Sequence, residues 1–120
     1  MRDYQMGVVE SRFADIIWEK EPISSTELTR QAEELLLWKK STTYTVLKRL
    51  CEKGIFQNHN GTVTSLISKQ EFFSLQSERF VEQTFAGSLP AFLAAFTARK
   101  TLTAEEVAHL RKLVAEYEEG

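Results

Sequence analysis

Apolar side chains near the start of this chain recur with a helical period. Val9, Phe13, Ile16 and Ile17 stand at i, i+4, i+7 and i+8, one stripe of a helix expected over residues 9–20 and ended by Pro22. Ser24 then offers a cap, Glu27 follows three residues on, and Ile23 and Leu28 flank them, which is a capping box with a hydrophobic staple. Behind it Leu28, Ala32, Leu35 and Leu36 repeat the stripe. The same device recurs in Ile67-Ser68-Lys69-Gln70-Glu71-Phe72 and in Leu102-Thr103-Ala104-Glu105-Glu106-Val107. Helix starts are therefore expected near residues 24, 68 and 103, because each box pairs backbone N–H groups that a first turn leaves open. Thr43, Val46, Leu47 and Leu50 form another apolar face, on a helix expected to begin at Ser41 or Thr42 and to close at Gly54. There the period changes. Residues 55–58 and 62–66 read as two short strands around His59-Asn60-Gly61, a hairpin signature.

Three helices and then a hairpin, with residues 38–41 as the turn between the second and third helices, is the order of a winged helix-turn-helix. The remainder is helical. A fourth helix is expected over residues 69–85, pairing Phe73 with Phe80 and Val81 with Phe85. Pro90 fits the first turn of a fifth, which carries Leu89, Phe92, Leu93 and Phe96 on one face. The sixth carries Val107, Leu110, Leu113, Val114 and Tyr117. The expected class is mainly α with a small β-hairpin: a winged helix-turn-helix over residues 1–67 and a C-terminal helical dimerisation domain over residues 68–120. Three small amphipathic helices bury too little surface to stand alone. They pack either on the N-terminal domain or on a second copy of themselves. The second reading is preferred, because a helix-turn-helix reader generally uses two half-sites. Phe73, Phe80 and the apolar faces of the fifth and sixth helices are then the candidate dimer interface.

Composition places the chain among ordinary soluble domains, and no stretch approaches the roughly 18 apolar residues of a membrane span. Residues 1–7 lack a signal-peptide pattern, and Cys51 is the one cysteine, so a cytoplasmic address without an internal disulfide is expected. The formal net charge of −2 argues against nucleic acid until its distribution is considered. Over residues 39–53 five basic side chains face Glu52 alone, whereas residues 101–120 hold five glutamates against Arg111 and Lys112. A nucleic-acid face needs local charge. The exposed side of the third helix would carry Ser41, Thr42, Tyr44, Thr45, Lys48 and Arg49. Ser41 and Thr42 suit base edges, phosphates or thymine methyls, Tyr44 offers a hydroxyl and a ring edge, and Lys48 reaches a base or a phosphate. Arg49 and Lys53 hold phosphate or pair with nearby acids. Arg30, Lys39 and Lys40 near the turn, and His59 and Asn60 at the wing tip, would add backbone contacts that position the protein.

An enzyme reading has little support: two histidines and one cysteine show no metal spacing, nucleophile motif or phosphate-cradling loop, and no cofactor or metal is expected. Cys51 suits the role of a small buried hydrophobe. His109 belongs on a surface or interface, and a metal site built from it with Glu105 or Glu106 would be unspecific. Two rivals stay open: a winged helix used as a protein-interaction module, and a regulator holding a small molecule among Phe73, Phe80, Phe92 and Phe96.

Glu10-Ser-Arg-Phe-Ala-Asp-Ile-Ile-Trp18, Ile23-Ser-Ser-Thr-Glu-Leu28, Ser41-Thr-Thr-Tyr-Thr-Val-Leu-Lys-Arg-Leu50 and Glu52-Lys-Gly-Ile55 resemble the penicillinase-repressor family, with its beta-lactam-responsive and copper-responsive branches. The resemblance implies a homodimer with an N-terminal winged helix and a C-terminal helical dimerisation domain, which binds a palindromic operator and blocks transcription. It also implies two release routes that this sequence departs from. Where beta-lactam-responsive members are cleaved at an Asn-Phe bond in the fifth helix, this chain has Ala95-Phe96. The Cys-x-Cys pairs of copper-responsive members are replaced by Ala-Glu-Tyr-Glu-Glu-Gly at residues 115–120. The inducing signal is left open.

Overall fold

The structure, a computed structural model, describes residues 5–119. Helix α1 (Val8–Lys20) turns Phe13, Ala14, Ile16 and Ile17 inward, whereas Val9, expected on the same stripe, is half exposed because it lies in the first turn, outside the packed face. Strand β1 (Ile23–Ser24) leads directly into α2 (Ser25–Leu36). Here the expected capping box is only half formed. Ser24 Oγ accepts from the Glu27 N–H at 3.0 Å, but Glu27's carboxylate accepts instead from Arg30 Nε (2.9 Å) and Gln31 Nε2 (3.1 Å). Leu28 and Ala32 are buried, and Leu35 is exposed.

Helix α3 spans Lys40–Glu52, one or two residues earlier than the Ser41 or Thr42 start expected, with Lys39 in the cap position and no side-chain cap. Its far end is a Schellman closure. Gly54 (φ 83°) donates to the Cys51 carbonyl at 3.0 Å, and Ile55 donates to that of Leu50 at 3.2 Å. Strands β2 (Phe56–His59) and β3 (Thr62–Ser65) are joined by Asn60 and Gly61, both at positive φ (52° and 83°), as a type I′ turn requires. The sheet order is β1-β3-β2, with Ile23 opposite Val63 and Phe56 opposite Ser65. The third strand, β1, was not expected from the sequence, since two residues carry no alternation and Ser24 also serves as a helix cap. Leu66 falls outside β3 and is exposed.

Phe13, Phe56 and Phe72 are fully buried at the centre, and a side chain of that size contributes about 1.5–3 kcal/mol when removed from water. Trp18 bridges two of them, its ring 5.2 Å from Phe56 and 5.5 Å from Phe72, while its Nε1–H donates to the Ile67 carbonyl at 3.1 Å. The remaining helices are α4 (Lys69–Phe85), α5 (Leu89–Thr97) and α6 (Ala104–Glu119). Ser68 caps α4, Ser88 caps α5 with Pro90 in its first turn, and Thr103 with Glu106 forms a complete reciprocal box on α6. The chain divides into two compact units at Arg79 and Phe80, within α4. In the second unit the rings of Phe80, Phe85 and Phe92 pack edge to face at 5.6–5.9 Å, and Phe96 lies 6.1 Å from Phe92.

Candidate nucleic-acid interface

The sequence Lys-Ser-Thr-Thr-Tyr-Thr at residues 40–45 presents its polar side chains outward because Thr43, Val46, Leu47 and Leu50 fill the core-facing side. Ser41, Thr42, Tyr44, Thr45, Lys48 and Arg49 are all exposed on one helix, and Lys39 and Lys40 are exposed at its start. Among the described residues, the side chains of Lys39, Ser41, Thr42 and Lys48 make no ion pair and no hydrogen bond. The others are committed to varying degrees. Thr45 Oγ1 donates to the Ser41 carbonyl at 2.9 Å. The Tyr44 hydroxyl makes a long hydrogen bond (3.4 Å) to Ser25 Oγ, and hydrogen bonding with Ser25 and Thr29 lowers its pKa from the ordinary tyrosine value. The Lys40 ammonium lies 6.0 Å from the Tyr44 ring centre.

Two expected phosphate contacts have partners within the protein. Arg49 Nη1 lies 3.6 Å from Glu10, and Lys53 Nζ donates to the Gln5 carbonyl at 2.6 Å. Arg30 is held between Glu27 and Glu34 on the surface of α2. The hydrogen bond from Arg30 pulls the Glu27 carboxyl down to about 2.

The turn before α3 is built without glycine. Leu37 takes the left-handed conformation (φ 59°), and the Trp38 N–H reaches back to the Ala32 carbonyl at 3.3 Å. Trp38 packs against Phe13 with ring centres 5.0 Å apart, so the turn is fixed by burial. At the other side of α3 the wing tip exposes His59 and Asn60, and Asn58 Oδ1 accepts from the Gly61 N–H at 3.0 Å. Nothing in the sequence marks what ties this wing down. The Ser25 N–H donates to the Gly61 carbonyl at 2.8 Å, and both Glu21 carboxylate oxygens accept from the Ser65 hydroxyl at 2.8 Å, one of them also from the Ser65 N–H at 2.9 Å. Ser25 reads from sequence only as a first-turn residue, and Glu21 as a solvated charge after α1.

A polar, basic outer face on the third helix, flanked by a two-stranded wing, is the geometry against which relatives can be compared. The family model described as Penicillinase repressor matches residues 6–116. The chain belongs to the penicillinase repressor family. The penicillinase repressor of Bacillus licheniformis is 25% identical over 117 residues, 94% of this chain and 91% of that protein. The methicillin resistance regulatory protein MecI of Staphylococcus aureus strain Mu50 is 21% identical over 117 residues, 94% and 95% of the two chains, and that of Mammaliicoccus sciuri is 20% identical over the same length.

Within this penicillinase repressor family member, the C-terminal candidates occupy two settings. Phe92, Leu93, Val107 and Leu110 are half-buried in the second unit. Phe73, Phe80, Leu89, Phe96, Leu113, Val114 and Tyr117 are exposed, with Phe96 at 45%, Leu113 at 53% and Tyr117 at 82%. Ala95 and Phe96 both lie in α5. Cys51 is half-buried against the core, and burial pushes its thiol up, away from the reactive thiolate. Among the described residues no three His, Cys, Asp or Glu side chains converge as a metal site, and no helix is long and apolar enough to cross a membrane.

Proposed function

We propose that this protein is a sequence-specific DNA-binding transcriptional repressor acting as a homodimer on a palindromic operator. Residues 1–67 read the DNA and residues 68–120 pair the two copies. The observation that carries the reading is the outer face of α3, where the side chains of Lys48, Ser41 and Thr42 are exposed beside Lys39 without a hydrogen-bond or ion-pair partner among the described residues. Long basic side chains left free on a helix whose other face is core are suited to an anionic ligand, and the N-terminal residues of such a helix approach base edges. Family membership supports the repressor role, since the relatives are named as a penicillinase repressor and as methicillin resistance regulatory proteins. Dimerisation is supported by the exposed apolar side chains of α5 and α6, which a single copy leaves in water.

The test is binding to the DNA immediately upstream of the protein's own gene, and to duplexes enriched by the protein from a randomised library, titrated against salt with mass measured in parallel. A dimer making about 6–10 phosphate contacts loses roughly 10³–10⁵ in affinity between 50 and 200 mM salt. Selective, steeply salt-dependent binding by a dimer is the expected outcome. Failure to enrich any sequence, with weak and uniform binding to all duplexes, sinks the reading and leaves the winged helix as a protein-interaction module.

A further inference from the structure

Thr45 stands at the centre of the outer face of α3. Its neighbours at i−4, i−3, i+3 and i+4 are Ser41, Thr42, Lys48 and Arg49, four of the candidate contact residues. Unlike Thr42, however, Thr45 has committed its hydroxyl proton, donating it to the Ser41 carbonyl at 2.9 Å. A threonine hydroxyl has one proton, so Thr45 retains no donor for a base or a phosphate. What remains at the surface is an acceptor oxygen and a methyl group. Arg49, one turn further on, lies toward Glu10 at 3.6 Å on the α1 side. The Thr45 methyl, without a free donor beside it, therefore lies among polar and cationic side chains, which is where complementarity to a single apolar group on the DNA would be read. The major groove offers one such group, the C5 methyl of thymine.

We propose that Thr45 is a specificity-determining residue that reads a thymine through its methyl group, its hydroxyl serving only the helix. The proposal rests on the DNA-reading function above. The hydroxyls of Ser41 and Thr42 remain for hydrogen bonds and Lys48 supplies charge, whereas Thr45 offers its methyl with no free donor beside it. Two substitutions separate methyl from oxygen. Thr45→Val removes the oxygen and keeps the methyl. Thr45→Ser keeps the hydroxyl and its bond to Ser41 and removes the methyl. Thr45 is exposed, so both variants are expected to melt at the wild-type temperature.

The probe is a duplex enriched by the full-length wild-type protein from a randomised library, resynthesised with deoxyuridine in place of each thymine in turn. Deoxyuridine deletes only the C5 methyl. At one thymine per half-site, wild type and Thr45→Val should each lose affinity by about fourfold, the factor for burying one methyl-sized group. Thr45→Ser alters both copies of the dimer and should start about fourfold weaker per half-site, roughly sixteenfold in all, on the parent duplex, and lose nothing further at that position, because a double-mutant cycle assigns the shared loss to the pair of methyls. Loss of binding by Thr45→Val, with wild-type affinity kept by Thr45→Ser, would overturn the proposal in favour of the oxygen as a base acceptor. Indifference of the wild type to every deoxyuridine overturns it as well. If the wild type enriches no sequence, the DNA-reading function itself fails, a result distinct from either of these.

Discussion

At the scale of single residues, the difference between a free charge and a committed one separates candidate contacts from structural ones. Lys48 is exposed with no side-chain partner among the described residues, so under the proposed function Lys48→Ala should weaken DNA binding by about 1–3 kcal/mol while melting temperature and mass stay at wild-type values; an unchanged affinity removes Lys48 from the reading surface. Arg30 is the opposite case, gripped by two carboxylates of its own helix. That grip has a pH signature at Glu27. Its carboxyl is held at about 2 in the folded chain against an ordinary value of 4.5, chiefly by the hydrogen bond from Arg30. The stabilisation is complete above pH 4.5 and is lost as the pH falls toward 2. Glu27→Gln should therefore flatten the fall of stability with acid in that window, measured by urea unfolding at a series of pH values. An identical acid slope in the variant would show that Arg30 does not act on Glu27 in solution. Both charges were visible in the sequence, where Arg30 reads equally well as a phosphate contact. Which role it takes depends on Glu27 and Glu34 standing one turn away on the same face, and a single sequence does not say whether side chains at that spacing close on each other.

At the scale of elements, most of the fold was legible because its helices announce themselves. The serine or threonine caps ahead of α2, α4 and α6 place those starts within a residue or two, and the Asn-Gly turn places the wing. Elements without such chemistry were misplaced. Helix α3 begins at Lys40 with no side-chain cap, whereas the sequence points to a serine or threonine that suits the role but is already helical. Strand β1 exists only because β3 pairs with it, a long-range requirement that two residues cannot advertise. The turn before α3 hides for another reason: its left-handed residue is a leucine where glycine is the usual choice, held there by the packing of the neighbouring Trp38 on Phe13. Leu37 is 87% exposed, so its side chain contributes little packing to offset the backbone cost. Leu37→Gly should accordingly stabilise the protein by about 1 kcal/mol, since a left-handed backbone costs an L-residue roughly that much more than glycine. Denaturant unfolding would check it, and a destabilised variant would mean that the Leu37 side chain makes a contact worth more than the strain.

At the scale of the whole molecule, the apolar periodicity of the C-terminal helices was readable, and so was their excess over what three short helices can bury. What was not readable is how that excess divides. Phe92 is half-buried among its neighbouring rings, so a charge there would damage the protomer itself, whereas Leu113 is exposed. Leu113→Glu is the cleaner test. If the proposed homodimer forms through this face, the variant should leave the helical content intact, sediment as a monomer where the wild type sediments as a dimer, and bind the enriched duplex at least tenfold more weakly, since one reader then has to hold one half-site alone. A dimer that persists would place the interface elsewhere. Finally, the hydrogen bond from Ser25 to Gly61 and the pairing of Ile23 with Val63 tie the wing to the start of α2, beside Tyr44 of α3. A wing fastened in this way has no slack with which to follow a groove that is too wide or too narrow. For a DNA reader, the adjustment of fit then falls on the duplex, and base steps that never touch the protein would be selected for how readily they bend.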